Sequence, residues 1–144
     1  MPQPTTTAPP INLASLLLDM HDQLATMLPA DVLSALDDYA ERLGPAGYPT
    51  ALRAGSAAPR FALPDHRGQS VSLDALLKQG PVVVAFYRGQ WCPYCNTQLH
   101  AYQEALPDFL ARGAQLVAIS PQTPDNSLTT AERHALAFPV LSDE

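Results

Sequence analysis

The chain is poor in basic residues and has no long hydrophobic run. Its 144 residues include eight Lys and Arg against fourteen Asp and Glu, which leaves a net charge of −6 at pH 7. Binding to a phosphate backbone depends on clustered basic side chains, so the sequence predicts no nucleic-acid partner. No uninterrupted apolar stretch approaches the roughly 20 residues that a membrane-spanning helix needs, so it predicts no membrane partner either.

Cysteine is scarce, and no secretory signal is recognisable. The first residues, MPQPTTTAPP, lack a basic region followed by an apolar core, which makes the cytoplasm the expected location. Two cysteines are too few for a disulfide-rich secreted scaffold, and a close pair in a cytosolic protein favours redox or metal chemistry. A glycine-rich phosphate-binding loop is also missing from the sequence, so no organic cofactor is expected.

The chain is expected to divide into a tail, a helical arm and one domain. Residues 1–10 are rich in proline and threonine, which predicts a disordered tail. Residues 11–47 carry apolar side chains at helical spacing on both sides of Pro29, which predicts an arm of two helices or one broken helix. Such an arm either packs against the rest of the chain, forms a dimer contact or recruits a partner protein. Residues 52–144 then form a domain long enough for one hydrophobic core.

The pattern of this domain predicts alternating strands and helices. FALPDHRGQSVSL reads as two short strands around a turn, and a short helix follows it. PVVVAFY has no polar residue between Val82 and Phe86, which predicts a central strand covered on both faces. A helix that begins at the cysteines, the buried strand AQLVAIS, a further helix and a strand in FPVLSD complete the order. This is a right-handed βαβ unit with the thiols at the carboxyl end of its first strand, a thioredoxin-like α/β architecture.

The two cysteines lie at the predicted start of a helix. With Cys92 at the N-cap, Pro93 takes the first helical position, where its missing N–H has no helical partner, and Cys95 lies one turn in. Unpaired backbone amides and the positive end of the helix dipole then favour the Cys92 thiolate and lower its pKa. These local effects indicate Cys92 as the attacking thiol and Cys95 as the resolving thiol, with Cys95 the less exposed.

Two other interpretations of the pair are weaker. A structural zinc site needs four ligands, whereas the pair supplies two, and no second ligand pair with matching spacing accompanies it; His100 is the nearest histidine in the sequence. A disulfide across so short a loop would stabilise the fold little. Redox exchange between Cys92 and Cys95 is therefore favoured, and no metal is expected.

Four neighbours, Arg88, Trp91, Pro93 and Tyr94, are candidates for the environment of the thiolate or the substrate. Arg88 either places a cation near the thiolate or is a solvated loop residue. Trp91 either shelters one side of the disulfide or simply packs, and Tyr94 is expected to be exposed. His100 is expected on the helix surface. Further residues either shape the approach to the thiols or serve only as loop and strand-end residues: Tyr87, Gly89, Gln90, Ser120, Pro121 and Gln122.

Three separate segments resemble a known family. GSAAPRFALPDHRGQSVSL, PVVVAFYRGQWCPYC and AQLVAISPQTPDNS look like the alkyl hydroperoxide reductase / thiol-specific antioxidant superfamily, especially its CxxC-containing, peroxiredoxin-like branch. The resemblance covers about residues 52–144 and implies a thioredoxin-like fold. Thioredoxin-like sheets normally add a C-terminal hairpin and helix, which the sequence lacks after LSDE, so the domain is expected to be C-terminally truncated.

The peroxiredoxin active-site pattern P-x-x-x-T-x-x-C places Cys95 on the peroxidatic cysteine. Cys92 then stands in place of the threonine and Arg88 in place of the proline. The resemblance thus implies Cys95 as the reactive thiol, whereas the helix start indicates Cys92, where thioredoxins also have their attacking cysteine. CPYC is familiar from glutaredoxins as well, but those chains are shorter and lack the long lead-in of strand and hairpin.

The favoured function is that of a thiol–disulfide oxidoreductase with a redox-active CPYC dithiol, related to peroxiredoxins. One alternative is a thiol-dependent peroxidase, in which a hydroperoxide oxidises Cys95 to a sulfenic acid and Cys92 resolves it. The other is an incomplete or inactive redox domain that acts as a sensor or interaction module. The resemblance implies a thiol electron donor (thioredoxin, glutaredoxin or a low-molecular-weight thiol) and a peroxide or protein disulfide as substrate, and it leaves a homodimer open.

Overall fold

A computed structural model describes residues 11–44, 48 and 50–144. The predicted disordered tail at 1–10 and the end of the predicted arm at 45–47 lie outside the described residues. Within the described part of the chain, no helix combines the length and the apolar character needed to cross a membrane. The helices and strands, in chain order, are α1 (Leu13–Met27), α2 (Ala30–Leu43), β1 (Ala62–Pro64), β2 (Ser70–Ser72), α3 (Leu73–Leu77), β3 (Val82–Phe86), α4 (Pro93–Ala111), β4 (Gln115–Ser120), α5 (Pro124–Arg133) and β5 (Val140–Ser142).

Helices α1 and α2 lie where the apolar spacing predicts them, on either side of Pro29. The side chain of Asn12 caps α1 by accepting a hydrogen bond from the Ser15 N–H at 3.2 Å. α2 ends at Gly44, whose φ of +50° suits glycine. Neither helix has a fully buried residue, and α1 packs against both α2 and α4. The division into arm and domain stays a prediction.

The main sheet is parallel, with the strand order β3-β4-β5. Phe86 pairs with Ile119, and Ile119 pairs with Leu141, so the three strands are aligned near their carboxyl ends. Since parallel strands end at the same edge, the loop from β3 into α4 meets the residues that follow β4 and β5 there. The expected thioredoxin-like βαβ order is therefore present.

The predicted pair of short strands forms the antiparallel hairpin β1–β2. Its turn is held by Asp65, whose Oδ1 accepts hydrogen bonds from the backbone N–H groups of Arg67 and Gln69, at 2.8 Å each. The hairpin joins the main sheet through a bridge between Asp65 and Leu141 of β5.

The prediction that PVVVAFY is a central strand covered on both faces is wrong. Among the described strands β3 pairs with β4 alone, its valines are half-buried, and Phe86 at its end is 74% exposed. β4 is the central strand, and Val117 within it is 0% exposed. An apolar run indicates a preference for burial, but it does not reveal which strands lie beside it.

Alternate side chains of β4 enter two hydrophobic clusters. Leu116 and Ala118 belong to the cluster shared with α4 and α5, whereas Val117 and Ile119 belong to the cluster shared with the hairpin, α3 and Leu141 of β5. This period of two is what a strand covered on both faces requires. The packed sheet is the rigid base from which α4 and its cysteines project.

Candidate functional site

Helix α4 begins as the sequence predicts, with Cys92 at the N-cap and Pro93 at the first helical position. Cys92 has an extended backbone (φ −91°, ψ 109°), which turns its side chain back over the helix end. The Cys95 backbone N–H donates to Cys92 Sγ at 3.4 Å, so the sulfur takes the place of the usual capping oxygen. The chain thus presents a thiol to the free amides and positive end of a helix of 19 residues.

The two cysteines are free and in contact. Cys95 Sγ lies 2.8 Å from Cys92 Sγ and donates a hydrogen bond to it. The expectation that Cys95 is the less exposed of the two is wrong: Cys92 is 0% exposed and Cys95 is 9% exposed. The groups around the Cys92 sulfur are the reason, because the Arg88 guanidinium, the Cys95 backbone N–H and the Cys95 thiol all contact it.

Arg88 reaches both sulfurs. Its guanidinium Nη2 lies 3.1 Å from Cys92 Sγ, and its backbone N–H donates to Cys95 Sγ at 3.4 Å. The guanidinium also stacks over the ring of Trp91, 5.1 Å from the ring centroid. Two of the sequence-predicted neighbours, Arg88 and Trp91, are therefore brought together beside the dithiol, and the Arg88 guanidinium lies against the Cys92 sulfur.

The two thiols differ in acidity. Burial opposes ionisation of Cys92, but hydrogen bonds from the Cys95 thiol, the Cys95 backbone N–H and the Arg88 guanidinium outweigh it, so the pKa of Cys92 is lowered. Burial raises the pKa of Cys95, and the hydrogen bond to Cys92 raises it further. The first negative charge of the pair therefore resides mainly on Cys92, with the Cys95 proton pointing at it.

Tyr94 does not have the exposed position that the sequence predicts. It is half-buried, and its hydroxyl lies 3.0 Å from Nδ1 of His21 on α1. The reason is that the second helical position of α4 faces the arm, a contact between residues 73 positions apart. Pro93 is half-buried, and His100 is exposed on α4 beside Glu104, as expected.

A mostly apolar cavity of 440 Å³ lies at the carboxyl edge of the sheet, beside the dithiol. Its wall includes Cys95 but not Cys92. Its other lining residues are Phe86, Tyr87, Arg88, Trp91, Ile119, Ser120, Pro121 and Asp143. Cys95 is thus the sulfur that faces the space where a small substrate can enter.

Three of these lining residues, Phe86, Ile119 and Asp143, are not among the residues that the sequence predicts for the site. The signal available was their position, because each lies within one residue of the end of β3, β4 or β5. The sequence predicts Gln122 beside Ser120 and Pro121 at the strand end, but Gln122 bonds to the loop that carries Arg88 instead of lining the cavity. Among the described residues, no group of three or more His, Cys, Asp or Glu side chains is placed to hold a metal ion.

Related proteins are peroxiredoxins. A putative peroxiredoxin of Mycobacterium tuberculosis (strain H37Rv) is 39% identical over 94 residues, which are 65% of this chain and 59% of that protein. The chloroplastic peroxiredoxin Q of Populus jackii is 38% identical over 90 residues, which are 62% of this chain and 42% of that protein. The chain therefore spans less than two thirds of the length of these curated relatives.

Solved structures with a similar fold include a peroxidoxin and a peroxiredoxin. Peroxidoxin BcpB from Mycobacterium tuberculosis superposes with a TM-score of 0.62 and 30% identity, over 65% of this chain and 60% of that one. A peroxiredoxin Q from Xanthomonas campestris gives a TM-score of 0.52 and 26% identity, over 65% and 57% of the two chains. The AhpC/TSA family model matches residues 54–144. Because that match covers the whole βαβ unit and the CPYC segment, the chain belongs to the AhpC/TSA family, as its motifs predict.

Proposed function

We propose that this protein is a thiol-dependent peroxidase in which Cys95 attacks a hydroperoxide and Cys92 resolves the product. One observation carries the proposal: of two sulfurs in contact, Cys95 lines the cavity and Cys92 is sealed away from it. The peroxiredoxin relatives support an antioxidant oxidoreductase of this kind. The proposal reverses the order of attack that the helix start alone suggests.

The first step uses the difference in acidity between the two thiols. Cys92 holds the negative charge and accepts a hydrogen bond from Cys95, so it is placed to take the Cys95 proton as Cys95 attacks. The Cys95 sulfur bonds to one peroxide oxygen while the O–O bond breaks, and an alkoxide leaves. Cys92 returns the proton to the alkoxide, which gives an alcohol and a sulfenic acid on Cys95. The backbone N–H of Arg88 stabilises the transient charge on Cys95.

The second step joins the two sulfurs. The Cys92 thiolate attacks Cys95 Sγ, the S–S bond forms, and hydroxide leaves and takes a proton from solvent to become water. The 2.8 Å separation supports this step, because the helix start already holds both sulfurs within one turn. The two thiols have then lost two electrons, and the peroxide has become an alcohol and water.

An external thiol returns the pair to its starting state. Its thiolate attacks the accessible Cys95 sulfur and displaces Cys92, and a second donor thiol then releases Cys95 as the donor becomes a disulfide. The lowered pKa of Cys92 makes it a good leaving group in this exchange. Trp91 is 67% exposed and Phe86 is 74% exposed at the rim, where a protein donor would dock.

Thiol–disulfide exchange with protein substrates is the second candidate function. The lowered pKa of Cys92 favours it, because it makes Cys92 the better nucleophile at neutral pH. The complete burial of Cys92 counts against it, since a protein disulfide would have to reach that sulfur first. An opening of the loop that carries Arg88 would be needed for this reaction.

The experiment that separates the two functions uses single Cys→Ser variants of the full chain. We expect Cys95→Ser to abolish hydroperoxide consumption in the presence of a thiol donor. We expect Cys92→Ser to react once and more slowly, because the group that takes the Cys95 proton is lost, and to leave a sulfenic acid that a dimedone-type probe traps on Cys95. Peroxide consumption that Cys92→Ser abolishes and Cys95→Ser retains would overturn the proposal, and so would folded parent protein that consumes no peroxide. Reduction of a protein disulfide that depends on Cys92 alone would support the second candidate.

A further inference from the structure

The loop of residues 88–91, between β3 and α4, is held from a neighbouring part of the chain. Gln122, two residues past β4, accepts a hydrogen bond from the Gln90 backbone N–H through its Oε1. Its Nε2 donates to Oγ1 of Thr130 at 3.4 Å, and Thr130 is fully buried on α5. One amide side chain therefore links the loop to a fixed point in the core.

Gly89 shows how closely Gln122 approaches this loop. A Cβ at residue 89 would lie 2.6 Å from Gln122 Oε1 and 2.7 Å from Trp91 Nε1, so a side chain at this position would displace the ends of both neighbouring side chains. Gly89 also has a φ of +144°, which side-chain-bearing residues rarely adopt. The absence of a side chain at Gly89 therefore lets the loop backbone approach the Gln122 amide closely.

Two asparagines complete the attachment of Gln90. Asn96 Nδ2 donates to the Gln90 carbonyl oxygen at 2.9 Å, and the Gln90 side chain donates to Asn126 Oδ1 at 3.2 Å. Both backbone polar groups of Gln90 are thus bound by side chains, one from α4 and one from the segment after β4. Arg88 lies two residues away and has its guanidinium on Cys92.

We propose that Gln122 is a positioning residue of the dithiol site, which holds the loop 88–91 in the course that lets Arg88 contact both sulfurs. Gln122 acts through Gln90 and Gly89 and contacts neither cysteine. Its effect on peroxide turnover rests on the proposed function above, whereas its effect on the thiols themselves does not.

The test compares two glutamine variants. Gln122→Met keeps the side-chain length and removes both hydrogen bonds. The Arg88 guanidinium is then expected to move away from Cys92. Since an opposite charge near an ionisable group shifts its pKa by at least about 1 unit, the first thiol deprotonation, followed by thiolate ultraviolet absorbance against pH, is expected to shift upward by about 1 pH unit. Gln103→Met is the matched control, because Gln103 Oε1 also accepts a backbone N–H, that of Ala137 at 2.7 Å, away from the loop. Its titration curve is expected to overlay that of the parent.

A second variant covers the case in which Gln122→Met fails to fold. Thr130→Val keeps the side-chain shape and removes the hydroxyl that holds Gln122, so it is expected to shift the deprotonation in the same direction by a smaller amount. An unchanged titration in folded Gln122→Met, or in Thr130→Val if the former does not fold, would overturn the positioning role. An equal shift in Gln103→Met would also overturn it. Parent protein that consumes no peroxide would refute the peroxidase alone and leave the titration result standing.

Discussion

Arg88 contacts the two sulfurs through groups of different kinds. The backbone N–H on Cys95 persists whatever side chain residue 88 carries, whereas the guanidinium on Cys92 depends on arginine. Stacking over Trp91 further limits where the guanidinium can point. The Arg88 side chain therefore adds to the lowering of the Cys92 pKa that the Cys95 hydrogen bonds produce, and its backbone N–H supports charge on Cys95.

Arg88→Met is expected to raise the pKa of Cys92, because a hydrogen bond and a neighbouring positive charge are both lost. The thiolate absorbance of the reduced chain against pH measures this shift. Arg112→Met is the control, since Arg112 donates to the Asp108 carbonyl oxygen at 2.9 Å at the exposed end of α4. Overlapping titration curves for parent and Arg88→Met would contradict the role given to the guanidinium.

The pKa shifts of the two cysteines also predict how stability depends on pH. The pKa of Cys92 is lowered in the folded state, so its contribution is present above the ordinary thiol pKa and is lost as pH falls through the lowered value. The pKa of Cys95 is raised, so its contribution declines as pH rises from the ordinary thiol pKa toward the raised one. Stability of the reduced protein is expected to peak between these two ranges.

Denaturant unfolding of the reduced protein across pH tests this expectation, with the double Cys→Ser variant as reference. The double variant gives the pH dependence without either thiol. Compared with the parent protein, Cys92→Ser is expected to lose the rise of stability with pH, and Cys95→Ser is expected to lose the decline. Identical pH profiles for all four proteins would show that neither thiol titrates differently in the folded and unfolded states.

At the scale of elements, α4 connects the dithiol to the arm. Cys92 caps this helix, and its first turn carries Cys95 and Tyr94, whose hydroxyl bonds to His21 of α1. His21 Nδ1 in turn lies 3.9 Å from Asp37 Oδ1 of α2. Two successive polar contacts thus connect Tyr94, which lies between the cysteines, to both helices of the arm.

A double-mutant cycle of Tyr94→Phe and His21→Ala measures the contact between α1 and α4. The coupling free energy of unfolding is expected to be about 0.5–1.5 kcal/mol, the usual net value of one hydrogen bond. Tyr94→Phe combined with His100→Ala is the control, because His100 contacts Glu104 on its own helix and is expected to give additive effects. Additive effects of Tyr94→Phe and His21→Ala would contradict the packing of α1 on α4.

For the whole molecule, β5 is the element that unites the two sheets. It pairs with β4 on one side, and on the other Leu141 bridges to Asp65 while the His66 N–H donates to the Val140 carbonyl oxygen at 2.9 Å. Leu141 is 0% exposed and lies in the cluster beneath the hairpin. The hairpin, the main sheet and the floor of the site therefore depend on the same strand.

Leu141→Ala is expected to lower the free energy of unfolding by about 2–5 kcal/mol, because it opens a cavity where the hairpin meets the sheet. Urea unfolding followed by circular dichroism measures the loss. Leu18→Ala on α1 is the matched control: Leu18 is 66% exposed, and the change is expected to stay within about 0.5 kcal/mol. Similar losses for the two variants would contradict the place of Leu141 in the core beneath the hairpin.

Local features of the fold and the site were predictable from the sequence alone. The helix start at CPYC, Cys92 as its N-cap, the turn between β1 and β2 and the order of strands and helices all depend on residues a few positions apart. The family could also be predicted, because its motifs lie in three continuous segments. Such features need no knowledge of distant packing, since capping, turn formation and hydrophobic periodicity act within a few residues.

Tertiary structure decided the features that depend on distant partners. Whether β3 lies at the edge of the sheet depends on which strands pair with it, and whether Tyr94 is exposed depends on α1, far away in the chain. The attachment of Gln90 to Gln122 joins residues 32 positions apart. Which sulfur faces the cavity is likewise decided by the surrounding loop and strands. Exposure is a property of everything that packs around an atom, so the sequence placed both thiols at a helix start, and only the assembled fold turned Cys95 toward the open space.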